Sequence, residues 1–398
     1  MKLNNVWAAG TVALLVGLTT TAHAVSLAGQ GASLPEYAYT GTLNATYPAT
    51  VAPKTVSLFG QFNSTTGNTV SYAGTGSGAG KTALITNASP FSASDSPLTQ
   101  ANYSDVIAGA GGSVHTAPVQ VPAIVGAVAV VYHLPTPQTA NLNLTSATLA
   151  KIFAGQITDW KDVPNSGIPS TSTALNPIHL AARAKASGTT FSFVNHLNAV
   201  GGLAGGKFFK VDELFANAVS GMTSVTFAGQ ANNQAVIDYV KATAGSIGYA
   251  EAANAYHTAG VTISLINGYS PASPNASFLS TAAVVTDQVI TGSNPTTGAA
   301  TLAAITGVPA GKAGFIKLVK PNVYANRTNV YPILAVSYLL GYTNANGDAP
   351  TLAAVKGVLK APYNANFQAA LGVPGARGYA FLPAALTTSL SALLDTLQ

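Results

Sequence analysis

Arg183, Lys185, Ser187, Gly188, Thr189 and Thr190 crowd into residues 181–190 (AARAKASGTT). These residue types in this order could hold an oxyanion. A guanidinium is a planar fork of donors suited to carboxylate or phosphate oxygens. Hydroxyls add further donors, and a glycine lets a ligand approach the backbone. Phe193, Val194 and Leu197 then recur at helical spacing, so a helix begins near Gly188 with Ser187 as its N-cap. The open end of such a helix presents free N–H groups and about half a positive charge. The competing reading is a capped helix beside a surface arginine.

Three further stretches offer related chemistry. Residues 27–35 (LAGQGASLP) read as a strand and a glycine turn that presents Ser33, with Pro35 opening a helix through Tyr39. Residues 69–82 (TVSYAGTGSGAGKT) read as a strand, a glycine turn and a helix. They look like a nucleotide-binding loop, but that motif needs a glycine five positions before Gly80, and position 75 is Thr. The surviving chemistry is exposed N–H groups and the Ser77 hydroxyl, which can meet an anion; the alternative is a plain glycine turn. Asp95 lies in a small-residue turn (residues 90–98, PFSASDSPL), either capping a helix begun by Ser96-Pro97 or accepting a hydrogen bond from a ligand.

The elements that must position these groups alternate between strand and helix, which indicates an α/β fold. Residues 177–180 read as a short strand ahead of the Arg183 loop. Residues 119–134 (VQVPAIVGAVAVVYHL) are a continuous apolar run of buried strand, with Pro122 and Gly126 marking a crossing or bend. Residues 331–340 read as a second buried strand. Helices are expected over 146–160, ending near Gly155, over 232–244, and after Pro383, where Leu386, Leu390, Leu393, Leu394 and Leu397 recur. A short strand is expected at 246–249. Residues 47–68 and 270–312 lack periodicity and are expected to be loops.

At 398 residues the chain is long enough for two domains. Charged residues make up only 7% of it, against roughly 25% in ordinary soluble domains. The net charge of +5 arises from scarce acids rather than basic runs, which argues against nucleic-acid binding. Lys2, an apolar run from Val6 to Leu18 and Ala22-His23-Ala24 fit a secretory signal peptide over 1–24, cut after Ala24. The mature chain is therefore expected in the periplasm or outside the cell, with no membrane span. The absence of Cys excludes disulfides, thiol catalysis and a lipid-modified N-terminal Cys. The six His are scattered, and no metal site or cofactor is expected.

In sequence order, Gly29-Gln30-Gly31-Ala32-Ser33-Leu34-Pro35, Gly74-Thr75-Gly76-Ser77, Ala93-Ser94-Asp95-Ser96-Pro97-Leu98 and Arg183 with Ser187-Gly188-Thr189 fit one family. The chain resembles the periplasmic phosphate-binding proteins of ABC transporters, including the secreted relatives called DING proteins. Residues 149–160 and 245–249 add support. The resemblance implies a two-lobed periplasmic-binding-protein fold of type II, with the ligand clamped in the cleft between α/β lobes. Mapped here, one lobe is residues 25–123 plus 329–398 and the other 124–328. It also implies ligand contacts at Ser33, Leu34 (through its backbone), Ser77, Asp95, Arg183, Ser187, Gly188 and Thr189. A monomer, inorganic phosphate as ligand, and either an ABC permease as partner or a secreted scavenging role are implied by the same likeness.

Lys185 departs from the pattern, standing where the family has an aspartate; Ala186 replaces a glycine and Leu34 a phenylalanine. Arg183, Lys185 and Asp95 then sum to +1, where the family's corresponding positions sum to −1, which favours anions generally. Lys185 either joins the ligand site or faces solvent. Asp95 argues for a ligand that carries its own proton, because an ionised carboxylate beside a fully ionised sulfate would be left unpaired, at a cost on the order of 1–3 kcal/mol. Hydrogen phosphate is thus the expected ligand, with arsenate competing. Three rival readings are another oxyanion, a secreted phosphatase, and an extracellular matrix or adhesive protein reusing the fold. The phosphatase has poor support, since no Gly-x-Ser-x-Gly elbow surrounds Ser77 or Ser187; a non-enzymatic binder is expected.

Overall fold

The computed structural model describes residues 24–43, 53–109, 117–136, 141–222 and 225–398. Apart from Ala24, the expected signal peptide lies outside the described residues. A single path of hydrogen-bonded strands runs Thr69–Ala73, Ser26–Gly31, Ser92–Ser94, Leu334–Tyr342, Pro118–His133, Ser246–Glu251, His179–Arg183, Ala228–Gln230. Both flanks of this path are parallel, and the centre is antiparallel. Tyr379–Phe381 and Thr262–Ile263 also pair with the long strand Pro118–His133.

That long strand explains how the two α/β flanks become one molecule. It pairs first with Leu334–Tyr342 and then with Ser246–Glu251, so its two halves belong to different flanks. Every residue from Pro118 to Tyr132 is buried, as expected for a strand covered on both faces. The register with Leu334–Tyr342 slips between Pro122 and Ile124, where proline cannot supply a ladder N–H. The mixed α/β fold is two-lobed, and the strand Pro118–His133 is shared by both flanks of the sheet, whereas Leu334–Tyr342 pairs within one of them.

The elements expected around the candidate groups are present. The strand His179–Arg183 leads to the helix Gly188–Val200, with Ser187 extended and its hydroxyl accepting the Thr190 N–H. Thr69–Ala73 leads to the helix Ser77–Ile85, and Glu36–Thr40 follows Pro35. Several boundaries differ. The helix that begins at Ser146 runs to Phe153 and is ended by Gly155 at φ 69°, as expected, so residues 156–160 lie outside it and Trp160 begins a separate turn. The Asp95 turn starts no helix: the next one, Gln100–Ile107, is capped by Thr99. Within 47–68 a helix spans Leu58–Thr66, held by the Ser57 cap and by burial of Leu58, Phe59 and Phe62 rather than by propensity. Within 270–312 short strands form at Val284–Thr286, Gln288–Ser293 and Ala300–Ala304.

Gly31 shows why glycine is required beside the first candidate residue. Its φ is +142°, and a Cβ there would lie 2.1 Å from the Ala93 carbonyl oxygen. Both the conformation and the close strand contact forbid a side chain. Gly31→Ala is expected to cost about 2–4 kcal/mol of folding stability, read from chemical denaturation.

Candidate functional site

All the candidate groups sit just beyond the carboxyl ends of strands, where ligands bind in open α/β sheets. Ser33 and Leu34 follow Ser26–Gly31; Ser77 follows Thr69–Ala73; Asp95 follows Ser92–Ser94; Arg183 ends its own strand. The turn carrying Ser33 is pinned on both sides. The Tyr72 hydroxyl donates to the Ala32 carbonyl and the Tyr379 hydroxyl to the Leu34 carbonyl, each at 2.6 Å.

The Asp95 turn and the Arg183 loop meet, although they come from opposite sides of the two crossing strands. A Cβ added at Gly188 would lie 2.4 Å from Asp95 Cβ and 2.5 Å from Ser77 Oγ. Arg183 reaches the Gly74–Ser77 turn as well, since a Cβ at Gly76 would be 3.8 Å from its Nη2. A partly buried ion pair ties the same two sides together. Lys81 Nζ bonds Glu213 Oε1 and also donates to Ser96 Oγ at 3.2 Å, while the Glu213 carbonyl accepts the Ser187 N–H at 3.1 Å.

Within this cleft Leu34, Ser77, Asp95, Arg183, Ser187, Gly188 and Thr189 are buried, and Ser33 is half-buried. Ser77 Oγ accepts the Asp95 N–H at 2.9 Å, so its own proton remains for a ligand. Ser187 Oγ likewise accepts from Arg183 Nη1 at 3.0 Å and from the Thr190 N–H at 3.3 Å. Thr190 instead supports the site from behind: its hydroxyl bonds that of Tyr249 at 2.7 Å, and Tyr249 stacks on Phe193.

Lys185 does not join this group. It is exposed, two residues past the buried Arg183. Sequence reasoning missed Glu251 and Asn233, which do join it. Glu251, at the end of the strand Ser246–Glu251, is wholly buried; its Oε1 accepts from Ser33 Oγ at 2.7 Å, from Thr189 Oγ1 at 3.1 Å and from Asn233 Nδ2. The only sequence signal was a scarce acid just past residues 245–249. Within the cleft Arg183 thus stands against two buried carboxyls, those of Asp95 and Glu251, while Lys185 is exposed.

Asp95 also differs in its proton. Burial pushes its carboxyl up to about 8, and the Glu251 charge adds to the rise. The Ser337 hydroxyl, Arg183 and the Leu34 N–H pull it only part of the way back. Its burial thus favours the protonated carboxyl, where the sequence suggested an ionised acceptor. Asp95 Oδ1, Arg183 Nε, Asn233 Oδ1 and Glu251 Oε2 are all buried without a hydrogen-bond partner in the protein. Such orphans cost on the order of 1–3 kcal/mol each, and a ligand with both donor and acceptor oxygens would offset that. Among the described residues, no group of three His, Cys, Asp or Glu side chains could hold a metal ion, and no helix is long and apolar enough to cross a membrane. His196 is buried between the Ala325 carbonyl and Ser146 Oγ, a structural position away from the cleft.

Comparison with known proteins gives a consistent result. Residues 40–357 match the family model of the PBP superfamily domain. The phosphate-binding protein PstS of Haemophilus influenzae is 32% identical over 278 residues, covering 68% of this chain and 71% of that protein. A protein of Pseudomonas aeruginosa named alkaline phosphatase L is 30% identical over 275 residues, covering 66% of each. Among solved structures, a phosphate-binding protein from Stenotrophomonas maltophilia superposes with a TM-score of 0.65 over 93% of both chains, at 21% identity.

Proposed function

The chain belongs to the PBP superfamily, among its PstS-like phosphate-binding proteins, and from that premise we propose that it captures inorganic phosphate in the cleft between its lobes. The observation that carries this reading is the convergence, on one buried cleft, of an unpartnered guanidinium nitrogen with unpartnered carboxyl and amide oxygens. Monohydrogen phosphate offers acceptors for Arg183, Ser77, Ser187 and the free N–H groups of the helix Gly188–Val200, and a P–OH donor for the oxygens. Arsenate has the same shape and protons and should compete. The mature protein would act in the periplasm or outside the cell, handing phosphate to an ABC permease or scavenging it.

The proposed lobes are residues 25–123 plus 329–398 and residues 124–328. The two crossing strands support this division, while residues 284–319 lean back on the first lobe: the Ile290 N–H donates to Leu98 O at 3.3 Å and the Gln120 N–H to Phe315 O at 3.1 Å.

Calorimetric titration with phosphate tests the reading. Wild type should bind, Arg183→Ala should bind at least about 100-fold more weakly (~2.7 kcal/mol), and Lys185→Ala, at an exposed position, should stay within a few-fold of wild type. Equal affinity in wild type and Arg183→Ala would sink it. Arg183-dependent turnover of a chromogenic phosphate ester would instead favour the hydrolytic reading that one relative's name suggests.

A further inference from the structure

We propose that Glu251 sets the direction of the Ser33 and Thr189 hydroxyls and thereby selects for an anion that carries its own proton. This rests on the phosphate reading above and adds a residue to it. Both hydroxyls donate to one oxygen, Glu251 Oε1, at 2.7 Å and 3.1 Å. Asn233 Nδ2 donates to that oxygen too, and to Ser33 Oγ at 2.9 Å. A hydroxyl has one proton. While it serves Glu251, the hydroxyl can turn only lone pairs toward a ligand. Lone pairs suit an anion that brings its own protons and repel one that brings none.

The second carboxyl oxygen gives the arrangement a switch. Glu251 Oε2 is buried without a partner in the protein, so it is the oxygen that can carry a proton. Once it does, Oε1 no longer competes for the hydroxyl protons as a full charge, and Ser33 and Thr189 can donate to the ligand. The neighbours bias this switch in both directions. Burial pushes the Glu251 carboxyl up, while Arg183 and the Ser33 and Thr189 hydroxyls favour its charge. Charge on Glu251 disfavours ionisation of Asp95 and of the Tyr379 phenol, whose hydroxyl donates to the Leu34 carbonyl. A fully ionised ligand therefore needs a proton placed on the protein, whereas monohydrogen phosphate brings its own.

Glu251→Gln keeps the shape and an acceptor oxygen but removes the charge. At pH 8 it should tighten sulfate binding at least tenfold, change phosphate binding much less, and so narrow the phosphate-over-sulfate ratio at least tenfold. A residue that only supports the fold would weaken both anions together and leave the ratio unchanged, which would overturn the proposal. If Glu251→Gln does not fold, the Asp95→Asn protein, with Glu251 intact, provides the second measurement. Calorimetry in buffers of different ionisation enthalpy should still show net proton uptake on sulfate binding; no uptake overturns the proposal. Wild type that binds neither anion would overturn the phosphate reading itself, a result distinct from binding with an unchanged ratio.

Discussion

Gly188→Ala is expected to cost at least about 100-fold in phosphate affinity (~2.7 kcal/mol) while leaving the ligand-free protein folded. The added Cβ would come within 2.4 Å of Asp95 Cβ, 2.5 Å of Ser77 Oγ and 2.7 Å of the Asp95 carbonyl carbon. Two of those atoms are fixed by the backbone, so no rotamer change relieves the contact. The clash exists only when the Arg183 loop lies against the Asp95 turn. A slight parting of the two sides of the cleft would relieve it, at the expense of cross-cleft contacts such as Lys81 with Glu213. Alanine is also a better helix residue than glycine by about 1 kcal/mol, so the helix Gly188–Val200 does not suffer. Titration calorimetry gives the affinity, and thermal melting without ligand should stay within about 3 °C of wild type. Wild-type affinity in this variant would mean that the ligand does not need the cleft as tightly closed as it is here.

Asp95→Asn should alter the pH dependence of selectivity more than affinity at neutral pH. In wild type the carboxyl is protonated below about 8, where it can donate to sulfate as well as phosphate. Above that value sulfate must bind against an ionised carboxylate, and its affinity should fall up to about tenfold per pH unit. Monohydrogen phosphate supplies its own proton and should lose less. Discrimination against sulfate in wild type therefore widens as pH rises through about 8, and Asp95→Asn should flatten the rise. Stability should follow the same group. A carboxyl raised from 3.8 in the unfolded chain to about 8 in the folded one contributes stability that is full below pH 4 and is lost as pH rises toward 8. The ligand-free melting temperature of wild type should fall over that window relative to Asp95→Asn. The slope for one group cannot exceed about 1.4 kcal/mol per pH unit. Glu251, also raised by burial, leaves some slope in the variant. Parallel melting profiles for the two proteins would show that Asp95 ionises normally.

What could be read in advance was local. The Ser187 cap, the helix behind Gly188 and the strand before Arg183 are written into adjacent residues, and they stand as expected. The apolar run at 119–134 announced a buried strand because it contains too little polarity to face water. Glu251 could not be found in this way. It lies far along the chain from Ser33 and Thr189, and only the pairing of its strand with residues 128–133 and 179–181 brings it to them. The proton on Asp95 was hidden for a related reason, since desolvation depends on what packs over a group. The helix at Leu58–Thr66 was masked by its threonines and asparagine, and it holds because Phe59 stacks against Tyr39. Lys185 shows the opposite error: a charge close in sequence to the site lies outside it in space.

The strand Pro118–His133 serves as an interior rung for both flanks of the sheet. Neither flank can come apart without exposing the apolar faces and backbone partners of the other. The two flanks are consequently expected to share one fate in denaturation. The strand's ladder with Leu334–Tyr342 is interrupted by the register slip at Pro122, inside a frame expected to keep a single thermodynamic identity.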